Sequence, residues 1–84
     1  MKIIKVIWVD AEEYGEIGWN SIRAIKIYAK KPCPKMITVG HLLFDSESHV
    51  SVVSTIGDKE TTKLEKIPKC MILSLEILED SEKK

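Results

Sequence analysis

Apolar positions are unevenly spaced along this chain, and their spacing divides it into elements. Residues 3–9, IIKVIWV, are β-branched and aromatic, a strand composition. Both faces are largely apolar, which predicts a strand covered on both sides. Residues 10–18, DAEEYGEIG, hold four acids and two glycines. They predict a loop long enough to carry function. In WNSIRAIKIYAKKPCP the period changes. Arg23, Lys26 and Lys30 recur at three- and four-residue intervals and make one polar stripe on an apolar segment. Asn20 is a candidate N-cap, and Trp19 stands where it can pack back onto the first turn. Lys30 and Lys31 suit a helix C-terminus, and Pro32 and Pro34 stop the helix. A helix over 20–31 is predicted. Isoleucine and tyrosine in IRAIKIY leave a strand open as its rival. A helix this apolar is expected to press a wide face against a sheet or a neighbouring subunit.

Residues 36–44, MITVGHLLF, read as a strand with Gly40 inside it, the position of a bulge or sharp bend. DSES at 45–48 is a turn. Residues 49–56, HVSVVSTI, alternate, with Val50, Val52 and Ile56 facing one way and His49, Ser51 and Thr55 the other. Residues 57–66 are polar and predict a loop or a frayed hairpin end. In IPKCMILSLEIL a proline leads into a last strand, with Met71, Leu73, Leu75 and Ile77 on one face. The tail EDSEKK is expected to be disordered. One domain is placed over 1–79 and a charged tail over 80–84. The fold class is α+β: a small, strongly bent antiparallel sheet or barrel of four or five strands, with one helix after the first strand.

Length and charge narrow the function. A chain of 84 residues buries a modest core. With two unpatterned cysteines, Cys33 and Cys70, no disulfide or zinc staple is expected. Cys33 is expected to be exposed and Cys70 to lie in the core. Apolar positions outnumber what one small chain can cover, which predicts a homo-oligomer. No stretch reaches the length of a membrane span, and the N-terminus reads as a strand rather than a signal, so a cytoplasmic protein without a membrane partner is expected. Thirteen basic and thirteen acidic side chains cancel, whereas non-specific nucleic-acid binders usually carry a positive excess. The charges are nonetheless segregated. Asp10, Glu12, Glu13 and Glu16 precede Arg23, Lys26, Lys30, Lys31 and Lys35 with no acid in between.

Two resemblances attach to particular residues. VGHLLFDSESHVSVV and, after a gap, IPKCMILSLEIL resemble the Sm-like small barrels. Gly40, Asp45 and His49 fall where that family has its strand glycine, its aspartate and a polar residue at the RNA base pocket. The second Sm motif is incomplete, since no glycine accompanies the basic Lys69 in Ile67-Pro68-Lys69-Cys70; in addition, His49 stands in place of the family's asparagine. The resemblance implies a small curved barrel, Sm- or SH3-like, and makes single-stranded RNA one candidate partner. VIWVDAEEYGEIGW, TVGHLLFD and IPKCMILSLEILE also resemble a group of short phage and prophage proteins. Small phage proteins of this size include oligomeric sponges that sequester cyclic nucleotide or cyclic ADP-ribose signals of bacterial immunity.

The candidate site residues each have a plainer reading beside the functional one. Tyr14 and Trp19 are candidates to stack on a base, or else they pack. Trp8, inside a strand, reads as core. Arg23 is a candidate phosphate clamp near a helix start, where Gly18, Trp19, Asn20 and Ser21 would add backbone donors; otherwise it lies on a solvated helix face. His49 faces the polar side and is a candidate ligand contact, whereas His41 reads as a strand residue. Lys69, before the last strand, is a candidate phosphate contact or an ordinary surface lysine. No catalytic pairing, metal set or cofactor motif stands out. The expectation is therefore a non-catalytic binder of a small nucleotide-type ligand, held by Tyr14, Trp19, Arg23, His49 and Lys69. An RNA-binding ring and an inhibitor or adaptor of a host protein are the alternatives.

Overall fold

The computed structural model describes residues 1–80. Among these the chain forms β1 (Lys2–Val9), α1 (Ile22–Ala29), β2 (Lys35–Asp45), β3 (His49–Val53), β4 (Leu64–Pro68) and β5 (Ile72–Asp80), with a 3-10 turn at Lys69–Met71. The strands make one antiparallel sheet in the order β4-β3-β2-β1-β5. The α+β class and the single helix after the first strand are as expected.

That order puts β4 and β5 on opposite edges, yet three residues join them. A flat sheet would hold its edge strands four spacings apart, roughly 19 Å. A three-residue 3-10 turn rises only about 6 Å. The sheet therefore has to curl, and β2 is where it turns. Residues 35–41 of β2 pair with β1, residues 41–45 pair with β3, and His41 alone pairs with both. Gly40 sits at this handover. A Cβ there would lie 2.5 Å from the Val53 carbonyl oxygen and 2.7 Å from Val52 Cγ1. Only glycine admits so close a backbone. Two residues later, Leu42 pairs with Val52 and Phe44 with Ser51, so Leu43 is an extra residue that bends the strand again.

The curl brings two half-sheets face to face. Ile4 and Val6 of β1 meet Val50 and Val52 of β3 and Ile67 of β4, with Trp8, Leu42 and Ile72 packed alongside. Each such aliphatic side chain contributes about 1.5–3 kcal/mol by leaving water. The Trp8 indole N–H donates to Thr38 Oγ1 at 3.0 Å, and the Thr38 hydroxyl donates to Glu65 at 3.2 Å, which ties β1, β2 and β4 together.

Several expectations change at this point. The polar stretch 57–66 ends in a strand of its own, because Leu64, Glu65 and Lys66 complete the pairing of β4 with β3. The single last strand expected over IPKCMILSLEIL is therefore two strands separated by a turn. Within it Met71 belongs to the turn and Leu73 falls at a register shift. Ile56 lies outside β3, in an isolated bridge to Thr61. Cys70 is exposed, as is Cys33, since the 3-10 turn carries Cys70 away from the core. Glu79 and Asp80, the first two residues of the EDSEKK segment expected to be disordered, continue β5; residues 81–84 lie outside the described residues.

The largest correction concerns residues 10–34. The helix runs over Ile22–Ala29, shorter than 20–31, and its N-cap is Ser21, whose hydroxyl accepts from the Ala24 N–H. Asn20 instead closes the preceding turn by accepting from the Glu16 N–H at 2.9 Å and donating to the Glu16 carbonyl at 3.0 Å. The helix is not pressed against the sheet. None of its residues is buried, and it makes no substantial contact with any strand. Residues 10–34 form an arm, closed at its base where the Asp10 N–H donates to the Pro34 carbonyl at 3.0 Å. The molecule measures 59 × 24 × 19 Å, with a radius of gyration of 17.2 Å. A compact chain of this length would have about 12 Å.

Candidate functional site

Two places carry the candidate residues. The first is the rim where β2 turns into β3. The Ser46 hydroxyl accepts from the backbone N–H groups of Ser48 and His49, both at 3.2 Å. The Ser46 N–H donates to the His49 carbonyl at 3.0 Å. These bonds fix a short turn that a DSES sequence favours. Ser48 Oγ lies 2.9 Å from His49 Nδ1 and orients the ring. Phe44, lifted outward by the bulge at Leu43, faces His49 with ring centroids 5.5 Å apart and planes tilted by 39°. The 3-10 turn closes on the same spot, where the Lys69 N–H donates to the Ser48 carbonyl at 2.8 Å. Lys69 Nζ lies 3.0 Å from Asp45 Oδ1, with both side chains partly exposed. A hollow of ≈ 180 Å³ beside Phe44 and Asp45 is also lined by Lys2. The rim thus offers the exposed Phe44 ring and the half-buried His49 ring, with Lys69 and Lys2 on the same rim. The rings suit a base and the lysines suit a phosphate.

The second place is the arm. Tyr14 stacks on Tyr28 with ring centroids 3.7 Å apart and planes 7° from parallel. The Tyr28 hydroxyl donates to Glu12 Oε2 at 2.6 Å. That bond favours the protonated phenol and, ahead of desolvation and the neighbouring charge, holds the Tyr28 pKa above its usual 10.0. Lys31 Nζ lies 5.2 Å from the same ring. Past the stack, Ile17 and Trp19 are fully exposed at 105% and 101%. Trp19 therefore does not pack back onto the helix as the sequence suggested. A shallow hollow of ≈ 440 Å³ between the loop and α1 is bordered by Tyr14 and by the carboxylates of Glu13 and Glu16. Two carboxylates at that border repel a phosphate.

The five predicted residues therefore fall into two groups. Tyr14, Trp19 and Arg23 belong to the arm, which leaves the sheet where β1 ends and β2 begins. His49 and Lys69 belong to the rim, at the far end of β2. Trp19 and Arg23 are exposed, and Tyr14 is already stacked. His41, by contrast, is half-buried within the sheet. Phe44, Asp45 and Lys2 join the rim without having been candidates on residue type. Asp45 was marked by its motif position. The exposure of Phe44 depends on a bulge that the pattern MITVGHLLF does not announce.

Among the described residues, no group of three or more His, Cys, Asp or Glu could hold a metal ion. Nor is any helix among them long and apolar enough to cross a membrane. No protein-family model matches the chain, and neither does a curated protein or a solved structure.

Proposed function

We propose that this chain is a non-catalytic binding protein that sequesters a small nucleotide-type ligand, of the cyclic nucleotide or cyclic ADP-ribose kind, as a homo-oligomer. The observation that carries the reading is the rim, where Phe44 and His49 present rings beside Lys69 and Lys2. Stacking on such rings contributes about 1–3 kcal/mol per base. Phosphate would draw Lys69 from its exposed pair with Asp45, which costs little because exposed ion pairs contribute only about 0–1 kcal/mol. Trp19 and Arg23 lie at the other end of β2 and would reach this ligand only from another copy. The curled sheet is read here as a small barrel of the Sm- or SH3-like kind, supported by the three-residue link between its edge strands.

Native mass spectrometry of the protein with a panel of cyclic nucleotides and cyclic ADP-ribose isomers tests this. The expected result is a discrete added mass, released unchanged on denaturation and lost in Phe44→Ala and Lys69→Ala. No added mass with any compound of the panel would end the sequestration reading. The second reading is an RNA-binding ring. It is favoured by the meeting of Asp45, His49 and Lys69 at positions corresponding to the Sm motifs, and weakened by the neutral charge. It predicts retention of single-stranded RNA that weakens steeply with salt.

A further inference from the structure

A cleft opens on the sheet where β2, before its bend at Gly40, diverges from β3 and β4. Its ≈ 460 Å³ are lined by Ile37, Val39, Val53 and Leu64 among others, with Lys63 and Glu65 at its margin. That is within the about 300–1,000 Å³ of pockets that take a ligand-sized group. Val53 is buried, but Ile37, Val39 and Leu64 are about half-exposed. The strand register gives the outward face around the cleft its charge. Lys35 pairs with Val9 and Lys5 with Val39, while Lys66 pairs with Ser51 beside Val52 and Val53. With Lys63 this makes four lysines. Acids stand among them: Glu76 lies opposite Lys5, Asp10 follows the Val9–Lys35 pair, and Glu65, opposite Val52, lines the cleft and accepts from Thr38. The cleft thus has an apolar wall of Ile37, Val39, Val53 and Leu64 beside the polar Thr38, Ser54, Lys63 and Glu65, and three further lysines share the sheet face around it.

The loop of the arm, residues 10–20, has the complementary character, with four acids and no base. Ile17 and Trp19, two residues apart on an exposed turn, are fully exposed apolar side chains. They are flanked by Glu12, Glu13 and Glu16. The turn that presents them is held rigid by the Asn20–Glu16 bonds and the Tyr14–Tyr28 stack, so little ordering is left to oppose docking. An indole and an aliphatic side chain set among carboxylates match the apolar Ile37–Val39–Leu64 wall of the cleft, with Lys63 beside it and Lys5, Lys35 and Lys66 on the same sheet face. In this structure the helix of the arm makes no substantial contact with its own sheet.

We infer that the arm of one copy seats Ile17 and Trp19 in the Ile37–Val39–Leu64 cleft of a second copy, with Glu13 and Glu16 against the lysines around it. Every copy carries one arm and one cleft, so a closed symmetric assembly satisfies all of them. The inference rests on the homo-oligomeric part of the function proposed above and is independent of the ligand.

The test is light scattering on the full chain after size-exclusion chromatography, for the wild type, Trp19→Ser and Leu64→Glu, with thermal melts to show that each variant keeps its sheet. The wild type is expected to run as a whole-number multiple of the chain mass. Each variant is expected to dissociate, with a dissociation constant raised about 30-fold or more, as for loss of a central aromatic anchor. Added salt should weaken the wild-type assembly. A monomeric wild type would overturn both the docking and the homo-oligomer. An assembly that survives both substitutions would overturn the docking and leave the homo-oligomer standing. Dissociation of the Trp19 variant alone would overturn the choice of cleft, because the arm would then be seated elsewhere.

Discussion

The bent sheet and the arm are built on opposite terms. In the sheet, residues far apart in sequence meet: Ile4 and Val6 lie against Val50, Val52 and Ile67, and Gly40 lies under the β3 backbone. In the arm, the contacts described run between residues of the same 25-residue stretch, 10–34. They are one ring stack, a few hydrogen bonds and a single capped helix, with no buried residue. An eight-residue helix is too short to persist on propensity alone. The sheet therefore carries the stability of the molecule, and the arm keeps its shape through local bonds while leaving its large apolar groups outward. Large side chains held in the open by a stiff support have the form of an interaction surface rather than a core.

Three experiments sharpen this contrast. Gly40→Ala should have the largest effect, about 3 kcal/mol or more of lost stability, because backbone and not a flexible side-chain end occupies the Cβ position. A chemical denaturation midpoint measures it. A midpoint near wild type would show that the bend does not depend on this glycine. Tyr14→Ala should separate the two regions. Its effect on the global melt should be below about 1 kcal/mol, while amide protons of residues 22–29 lose protection. Equal loss of protection in β1 and β3 would mean that arm and sheet unfold as one unit, and the comparison would fail.

The smallest effect is expected at alkaline pH. The Tyr28 pKa is raised in the folded arm, so its bond to Glu12 is fully present below the usual tyrosine pKa of 10.0 and is lost as pH rises through the raised value. Ultraviolet titration should show one tyrosine ionising later than in the unfolded chain. Glu12→Gln should bring it back towards the ordinary value. A Tyr28 transition at the ordinary 10.0, unchanged by Glu12→Gln, would argue that the Glu12 bond does not hold in solution.

Much of the sheet was legible in the sequence. Alternation in HVSVV placed Val50 and Val52 inward, and Gly40 marked the bend. β4 was missed because LEK carries two charges and sits at the end of a polar run; only its pairing with β3 makes it a strand. The helix was legible from the Arg23–Lys26–Lys30 stripe and the two prolines. Its packing was not, because apolar content shows that a face needs cover without showing what supplies it. The same ambiguity misplaced Trp19, since an indole beside a cap looks alike whether it folds back or points out. The rim was half legible. His49 and Lys69 stood out by type and motif position, but Phe44 is exposed only through the bulge at Leu43. The Tyr14–Tyr28 stack joins a loop residue to a helix residue, so no periodicity within one element announces it.

The bond between the Asp10 N–H and the Pro34 carbonyl has a consequence for how the chain could be rebuilt. It sits directly beyond the last β1–β2 register pair, Val9 with Lys35, so the two ends of the arm leave the sheet where an ordinary hairpin turn would. Replacing 25 residues by a two-residue turn would lower the entropy cost of closing that hairpin by about 2 kcal/mol. The arm is thus an excisable insertion. It slows and weakens the pairing of β1 with β2, and its retention needs a reason other than the stability of the sheet.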